Sequence, residues 1–429
     1  MKKTFKLSTL LSVVTLAAIA PGAAAAAIGD PVPGLSPEEL ALFQQGRALY
    51  EHEFTIDEGV GPLLNAKACN TCHNAPVTGG GEIDLAHPVV HFGIETFGRF
   101  YQAHEFGGPV MDPLSIAGEA DAGTCSLPPD TLPVGQPGLI TSTRHTPPVF
   151  GFGLIDAIGD NDIRKLAGRK PWKDDTVAGI AHYGVEMEGL APLTEFTPQL
   201  GRLAPIGPPR VGRFGWKAQN ASLFQFTAEP FNTELGVTSP FAPREKTPDG
   251  KVPLPSACLV ADAQPNDVQS QDTLLLFYFQ AFLDAPERMP RNNPIAQGEA
   301  LFDQIGCADC HVEKHRTIKD YYVPWPDGTA HRVAALSGKT LRPYSDFLIH
   351  DMGPDLDDHR RMGKASGRFW RTTPLWGLRF KGRMLHNGSA ITLDEAIAAH
   401  GGEGAASRDR YFALPTRKQE RVDAFLNSL

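Results

Sequence analysis

The residues whose types and spacing carry the clearest chemistry are two short runs, Cys69-Asn70-Thr71-Cys72-His73 and Cys307-Ala308-Asp309-Cys310-His311. Each sets two thiols three positions apart, with an imidazole directly after the second. That arrangement lets each thiol close a thioether on one vinyl group of a haem, while the adjacent histidine takes the proximal position on the iron. With 6 Cys and 14 His in 429 residues, chance would supply on the order of 0.003 such runs, so two are not accidental. Zinc would draw its four ligands into one tetrahedral site, and a thioredoxin-like pair has no use for a histidine at the fifth position of both runs. The sequence therefore predicts two covalent haem c groups. Their attachment points are Cys69 and Cys72, then Cys307 and Cys310, with His73 and His311 as axial ligands.

The elements that must hold these runs also repeat. Gln45-Gly46-Arg47-Ala48-Leu49-Tyr50-Glu51 matches Gln297-Gly298-Glu299-Ala300-Leu301-Phe302-Asp303. Both copies follow a helix start signal, Ser36-Pro37 with Glu39 in one case and Asn293-Pro294 with Gln297 in the other. Tyr50 lies 19 residues before Cys69, but Phe302 only 5 before Cys307. The chain closes on a segment in which Thr416 can cap a helix with Val422, Phe425, Leu426 and Leu429 on one face. Thr273 to Leu283 is strongly apolar and reads as a buried helix rather than a membrane span, being too short to cross a bilayer. Pro240 to Gln271 lacks helical periodicity and reads as a long loop. The fold class expected is mainly α, two cytochrome c-like domains with one covalent haem each and long Pro/Gly-rich loops and insertions. Their expected limits are residues 27–290 and 291–429, divided where Pro286, Pro290 and Pro294 cluster.

Composition narrows the function classes. Gly 43 and Pro 37 make about 19% of the chain, against an average near 12%, as long turn-rich connections require. A net charge of −9 argues against a nucleic-acid binder. Lys2, Lys3 and Lys6 precede an apolar run from Leu7 to Ala20, and Pro21-Gly22 opens into small residues to Ala27. This is the layout of a secretory signal over residues 1–26, and the expected location is the periplasm, with no membrane span in the mature chain. Cys125 and Cys258 remain once the haem runs are assigned. An oxidising compartment lets them pair across 133 residues; the alternative is two unpaired buried thiols.

Several further blocks, in order, resemble the di-haem oxidoreductase family, related to bacterial di-haem cytochrome c peroxidases and to MauG. They are Arg144-His145-Thr146-Pro147-Pro148-Val149-Phe150-Gly151-Phe152-Gly153-Leu154, Gly212-Arg213-Phe214-Gly215-Trp216-Lys217-Ala218-Gln219, and Pro343-Tyr344-Ser345-Asp346. They continue with His350-Asp351-Met352-Gly353, Thr373-Pro374-Leu375-Trp376-Gly377-Leu378 and Leu385-His386-Asn387-Gly388. The resemblance implies one haem that accepts electrons from a small cytochrome c- or cupredoxin-type protein and another that meets hydrogen peroxide. The separation of 238 positions from Cys69 to Cys307 exceeds what a compact peroxidase of this kind needs. Two other functions stay open: an electron-transfer cytochrome without substrate, and oxidation or oxygenation of an organic or protein substrate.

The remaining site residues follow from this resemblance together with local pattern. Thr392 and Glu395 form a capping box, and Leu393, Ala396, Ile397 and His400 share one helical face. Related peroxidases carry a methionine ligand at this helix position, so His400 is the expected sixth ligand of the second haem, with Met352, Met384 and His386 in reserve. For the first haem, His87 and His91 fall where peroxidases carry a removable distal histidine. Phe231-Asn232-Thr233-Glu234-Leu235-Gly236 resembles the segment that supplies a catalytic glutamate, which makes Glu234 the expected proton-transfer group. Trp216 and Trp376 are candidates for a position between the haems. Related enzymes hold calcium through carbonyls of a Thr-x-Pro segment, here Thr372-Thr373-Pro374.

Overall fold

The computed structural model describes residues 27–119, 122–168, 179–182, 210–243, 245–248, 254–259, 267 and 271–429. The expected signal segment 1–26, and most of the loop between Pro240 and Gln271, lie outside the described residues.

The two repeat copies are helices Pro37–Glu51 and Asn293–Gln304. Ser36 caps the first in a full capping box: its hydroxyl accepts from the Glu39 N–H at 3.2 Å, and the Glu39 carboxylate accepts from the Ser36 N–H at 2.7 Å. At the second, the cap falls one residue earlier than expected. The Asn292 side chain, rather than that of Asn293, accepts from Ile295 N–H at 3.0 Å. Each copy crosses a second helix at its glycine. A Cβ on Gly46 would sit 2.1 Å from the Leu275 carbonyl oxygen of helix Gln271–Phe282, and one on Gly298 would sit 1.8 Å from the Arg421 carbonyl oxygen of helix Thr416–Leu426. The repeated glycine is thus the point of closest helix–helix approach in both halves. In the last helix Thr416 is the first helical residue and Pro415 holds the cap position, without a side-chain cap bond. A proline there already fixes an extended entry, so the hydroxyl has no capping task.

Helix Gln271–Phe282 is buried on nearly all sides from Thr273 to Phe282. It centres the larger hydrophobic core, which runs from Val32 to Leu283 and also takes in Tyr321, Val323, Trp325, Leu336, Phe347, Leu348 and Trp376 from beyond residue 290. A smaller core joins Ile295, Phe302, Ile305, Tyr344, Tyr411, Val422, Phe425 and Leu429. Among the described residues no helix is long and apolar enough to cross a membrane.

Helices form the frame, but strand is present too, so the structure is less purely helical than the sequence suggested. Strand Val89–Thr96 pairs antiparallel with Arg99–Tyr101 on one side and Leu139–Arg144 on the other, with Val89 opposite Arg144 and Ile94 opposite Leu139. Ile349–Asp351 pairs with Phe369–Arg371, setting His350 opposite Trp370. Cys125 and Cys258 are joined by a disulfide spanning 133 residues.

Candidate haem sites

Each thiol pair opens onto a cleft. Cys69 to Thr71 and Cys307 to Asp309 each form one turn of 3-10 helix, so that the following histidine folds back beneath the pair. The His73 backbone N–H donates to the Cys69 carbonyl at 3.1 Å and that of His311 to the Cys307 carbonyl at 3.0 Å. In both clefts the aromatic residue of the repeat packs on this imidazole: Tyr50 against His73, ring centres 5.8 Å apart, and Phe302 against His311 at 6.1 Å.

Both imidazoles are fixed in the tautomer a metal requires. His73 Nδ1 lies 3.2 Å from the Gly80 carbonyl oxygen, and His311 Nδ1 lies 2.9 Å from that of Tyr344. A carbonyl only accepts, so each Nδ1 carries the proton and Nε2 keeps its lone pair. Burial pushes both rings down to about 4, so both are neutral near pH 7. Burial likewise pushes the thiols of Cys69, Cys72 and Cys307 up to about 12. Thiols held in the neutral form do not suit a reactive redox pair, which needs thiolates. Thioether attachment has no such need.

The second cleft contains His311, His400, Met352, Met384 and His386. Helix Leu393–Ala398 begins with the expected capping box, and Leu393, Ala396, Ile397 and His400 all face the cleft. His400 Nδ1 donates to the Ala396 carbonyl at 2.8 Å, leaving Nε2 available. The rings of His311 and His400 stand 6.5 Å apart, centre to centre. Two imidazoles on opposite sides of one metal, with bonds of about 2.0–2.1 Å through Nε2, would have their centres ~6.4 Å apart. The spacing therefore fits an iron between them. His386 is engaged elsewhere, stacked on Trp370 at 3.7 Å and 11°.

At the Cys310 end of this cleft the structure joins His350 and Asp346, which the sequence carried only within matching blocks, to Glu403. His350 is buried, with Nε2 3.0 Å from Asp346 Oδ2, Nδ1 2.8 Å from Glu403 Oε2, and Cys310 Sγ 3.7 Å from Nδ1. Burial works against an imidazolium here, but the two carboxylates outweigh it and raise the ring well above its usual range. Cys310, Asp346 and His350 could alone hold a metal ion, but a thioether at Cys310 would remove its thiolate.

The first cleft is lined by Cys69, Cys72, His73, His91, Glu229 and Glu234, among others. His87 is not part of this lining; its ring reaches the Glu82 carboxylate at 3.3 Å instead. His91 and His145 are the other imidazoles in this lining, and the His145 Nε2 meets the Glu82 carbonyl oxygen at 2.9 Å. Glu229, which the sequence reading missed, is buried on helix Leu223–Thr233 and accepts from Asn220 Nδ2 at 2.7 Å. Its signal was that it is the one charged residue of this helix.

Between the clefts stands a shared wall. His145, Thr146, Pro147 and Trp216 line both, and Trp216 Nε1 donates to the His145 carbonyl at 3.1 Å. Trp376 does not line either cleft; it is a core residue packed against Gly151. Beside the wall, Asp358 accepts from Ser142 Oγ at 2.8 Å and Arg144 Nη2 at 2.6 Å, and pairs with Lys217 Nζ at 3.2 Å. Lys217 also donates to the carbonyls of Ser366, Gly367 and Phe369 at 2.8, 3.0 and 3.1 Å, and lies 3.8 Å above the Trp370 ring. The Thr372 carbonyl, considered above for calcium, already accepts from Ser345 Oγ at 2.6 Å and Arg371 Nη1 at 3.2 Å.

Two clefts, each with a thiol pair and a tautomer-locked imidazole, thus lie on either side of one wall. The chain belongs to the family described as "Di-haem oxidoreductase, putative peroxidase", which it matches over residues 135–429. Among solved structures it is similar to the hydrazine synthase of Kuenenia stuttgartiensis, pressurised with 20 bar xenon, at 12% identity over 97% of this chain and 99% of that one, with a TM-score of 0.37. It is also similar to a MauG-like protein associated with microbial copper homeostasis, at 13% identity over 94% and 92%, with a TM-score of 0.36. No curated protein sequence matches the chain.

Proposed function

We propose that this chain is a periplasmic enzyme that reduces hydrogen peroxide with electrons from a small cytochrome c- or cupredoxin-type donor. It would carry one haem c on Cys69 and Cys72 and a second on Cys307 and Cys310. The observation that carries this reading is the asymmetry of the clefts. His400 stands 6.5 Å from His311, a pair that could hold an iron between them, whereas the ring packed on His73 is that of Tyr50 and Glu234 lines that cleft. Export is supported by the basic and then apolar character of residues 1–20.

Haem iron, when bound, supplies one-electron exchange and, where a position is open, a place for a small oxidant. The chain supplies the rest. His73 and His311 hold their protons at Nδ1 and offer Nε2. Glu234 moves a proton between the peroxide oxygens at the first centre, a task for a carboxylate within reach of the substrate. Trp216, on the wall, provides an aromatic stepping point between the two clefts. With haems in place, the His311/His400 cleft would hold the centre that accepts electrons and the His73 cleft the one that meets peroxide.

Low-temperature EPR of the oxidised and half-reduced protein, with and without peroxide, tests the reading. A high-spin signal that peroxide alters, alongside one low-spin signal that His400→Ala perturbs, supports it. Two low-spin signals indifferent to peroxide in both states would overturn it in favour of an electron carrier.

A further inference from the structure

The second cleft is electrically polarised. At its Cys310 end lie the acidic groups Asp346 and Glu403 with His350 between them. Toward the shared wall it is lined by three basic side chains, Arg371, Lys381 and Arg383. Arg371 is buried, and its donors reach only neutral carbonyls: Nε to Gly215 at 2.8 Å and Nη1 to Thr372 at 3.2 Å. Arg383 Nη1 donates to the Gly388 carbonyl at 3.0 Å, and its buried Nε has no hydrogen-bond partner. Burial and the neighbouring Arg371 charge push the Lys381 ammonium down to about 8.

Among the described residues none of the three forms an ion pair with a carboxylate, although buried cations nearby do: Arg144 and Lys217 with Asp358, and Arg213 with Asp160. Glu82 lines the same cleft, but its Oε1 accepts from the His87 N–H at 2.7 Å and it pairs with none of the three. Arg371 is buried and Lys381 and Arg383 are half-buried, all without a counter-ion, and unpaired charge withdrawn from water is costly, so this cluster suits an anion that the chain itself does not provide. The location is fixed as well. The Arg371 N–H donates to the Trp216 carbonyl at 2.9 Å, and the charges of Lys381 and Arg383 add to burial in lowering His145 of the wall.

We propose that Arg371, Lys381 and Arg383 seat the two propionates of the haem in the second cleft, so that its propionate edge faces the shared wall. This rests on that cleft holding a covalent haem, as proposed above. Propionates leave the porphyrin on the edge away from its two vinyl-derived thioethers. Attachment at Cys307 and Cys310 therefore sends them away from Asp346 and Glu403 and toward the cations. Arginine can grip a carboxylate through two parallel N–H donors, and lysine adds a point charge. Cations at this edge favour the electron-rich ferrous state and so raise the reduction potential of this centre.

The test uses the full haem-loaded chain. Chain mass and pyridine haemochrome absorbance first count covalent haems; fewer than two per chain overturns the haem reading and this proposal with it. With two present, Lys381→Gln and Arg383→Gln are titrated spectroelectrochemically. The second centre is recognised as the low-spin signal that His400→Ala perturbs. Each variant is expected to move that centre to lower potential and leave the other in place, while Lys381→Arg and Arg383→Lys titrate like the parent. Unchanged potentials in both glutamine variants overturn the proposal. So does an equal fall in the charge-conserving variants, which would mark a packing effect.

Discussion

Gly298 offers a test in which two physical effects oppose each other in sign. In an isolated helix, Gly→Ala is stabilising by about 1 kcal/mol, because alanine loses less backbone freedom. At Gly298 the new Cβ would fall 1.8 Å from the Arg421 carbonyl oxygen. Even a close C–H···O contact is about 3.3 Å, so helices Asn293–Gln304 and Thr416–Leu426 must separate by ~1.5 Å. That shift disturbs Phe302, which packs on Phe425 at 5.2 Å and on His311 at 6.1 Å. Overpacking of this kind costs about 1–3 kcal/mol or more, so the net effect of Gly298→Ala is destabilisation despite the helical gain. Urea denaturation followed by far-UV circular dichroism measures it, and the Soret band reports whether the His311 environment moves with it. Gly46→Ala, with its Cβ 2.1 Å from the Leu275 carbonyl oxygen, should behave likewise. If Gly298→Ala is as stable as the parent or more so, the close-crossing argument is refuted.

Three other outcomes are expected. Replacing Cys125 and Cys258 together by serine should cost about 2–5 kcal/mol of stability, read as a lower urea midpoint than in the parent under non-reducing conditions. His350 has a raised pKa in the folded state, so its contribution to stability is complete below the unfolded value of about 6.5 and is lost as pH rises through the folded value. The melting temperature of the parent should accordingly fall relative to His350→Gln on going alkaline; parallel pH profiles would refute the ion triad. Trp216→Leu should slow electron redistribution between the two centres after half-reduction, followed by stopped-flow absorbance, with little change in either centre's static spectrum. An unchanged rate would remove Trp216 from the route.

What could be read from the sequence was what is local. The two Cys-x-x-Cys-His runs, the capping box at Thr392 and the face shared by Leu393, Ala396, Ile397 and His400 depend on residues within eight positions of one another, and the structure assembles them as the spacing implied. The repeat was visible as a pattern, but its physical reason was not. Nothing in Gln-Gly-x-Ala-Leu announces that the glycine touches a carbonyl of a helix 123 residues further along, as Gly298 does with Arg421. Cap positions moved by one residue, because Asn292 and Asn293 are equally good cap residues and only the chain's direction of entry distinguishes them. Paired strands as short as Phe369–Arg371 carry no alternating pattern long enough to detect. Glu229, the His350 triad and the Lys217 cage were missed for one reason: their partners lie far away in the sequence, and pairings of that kind exist only once the two halves are packed together.

The Lys217 cage has a consequence for how the halves stay joined. The ammonium comes from the segment around Trp216, while three of the oxygens that grip it belong to residues 366–369 and a fourth to Asp358. A fastening that uses a dissolved ion depends on that ion's supply and can be stripped by a chelator. Here the positive charge is a side chain, present once in every molecule from the moment of synthesis and impossible to dilute away. The joint beside the wall therefore answers to protons rather than to a supply of metal ions: burial pushes the Lys217 ammonium down to about 7 against the pull of Asp358, so the fastening is charged below that pH and weakens above it.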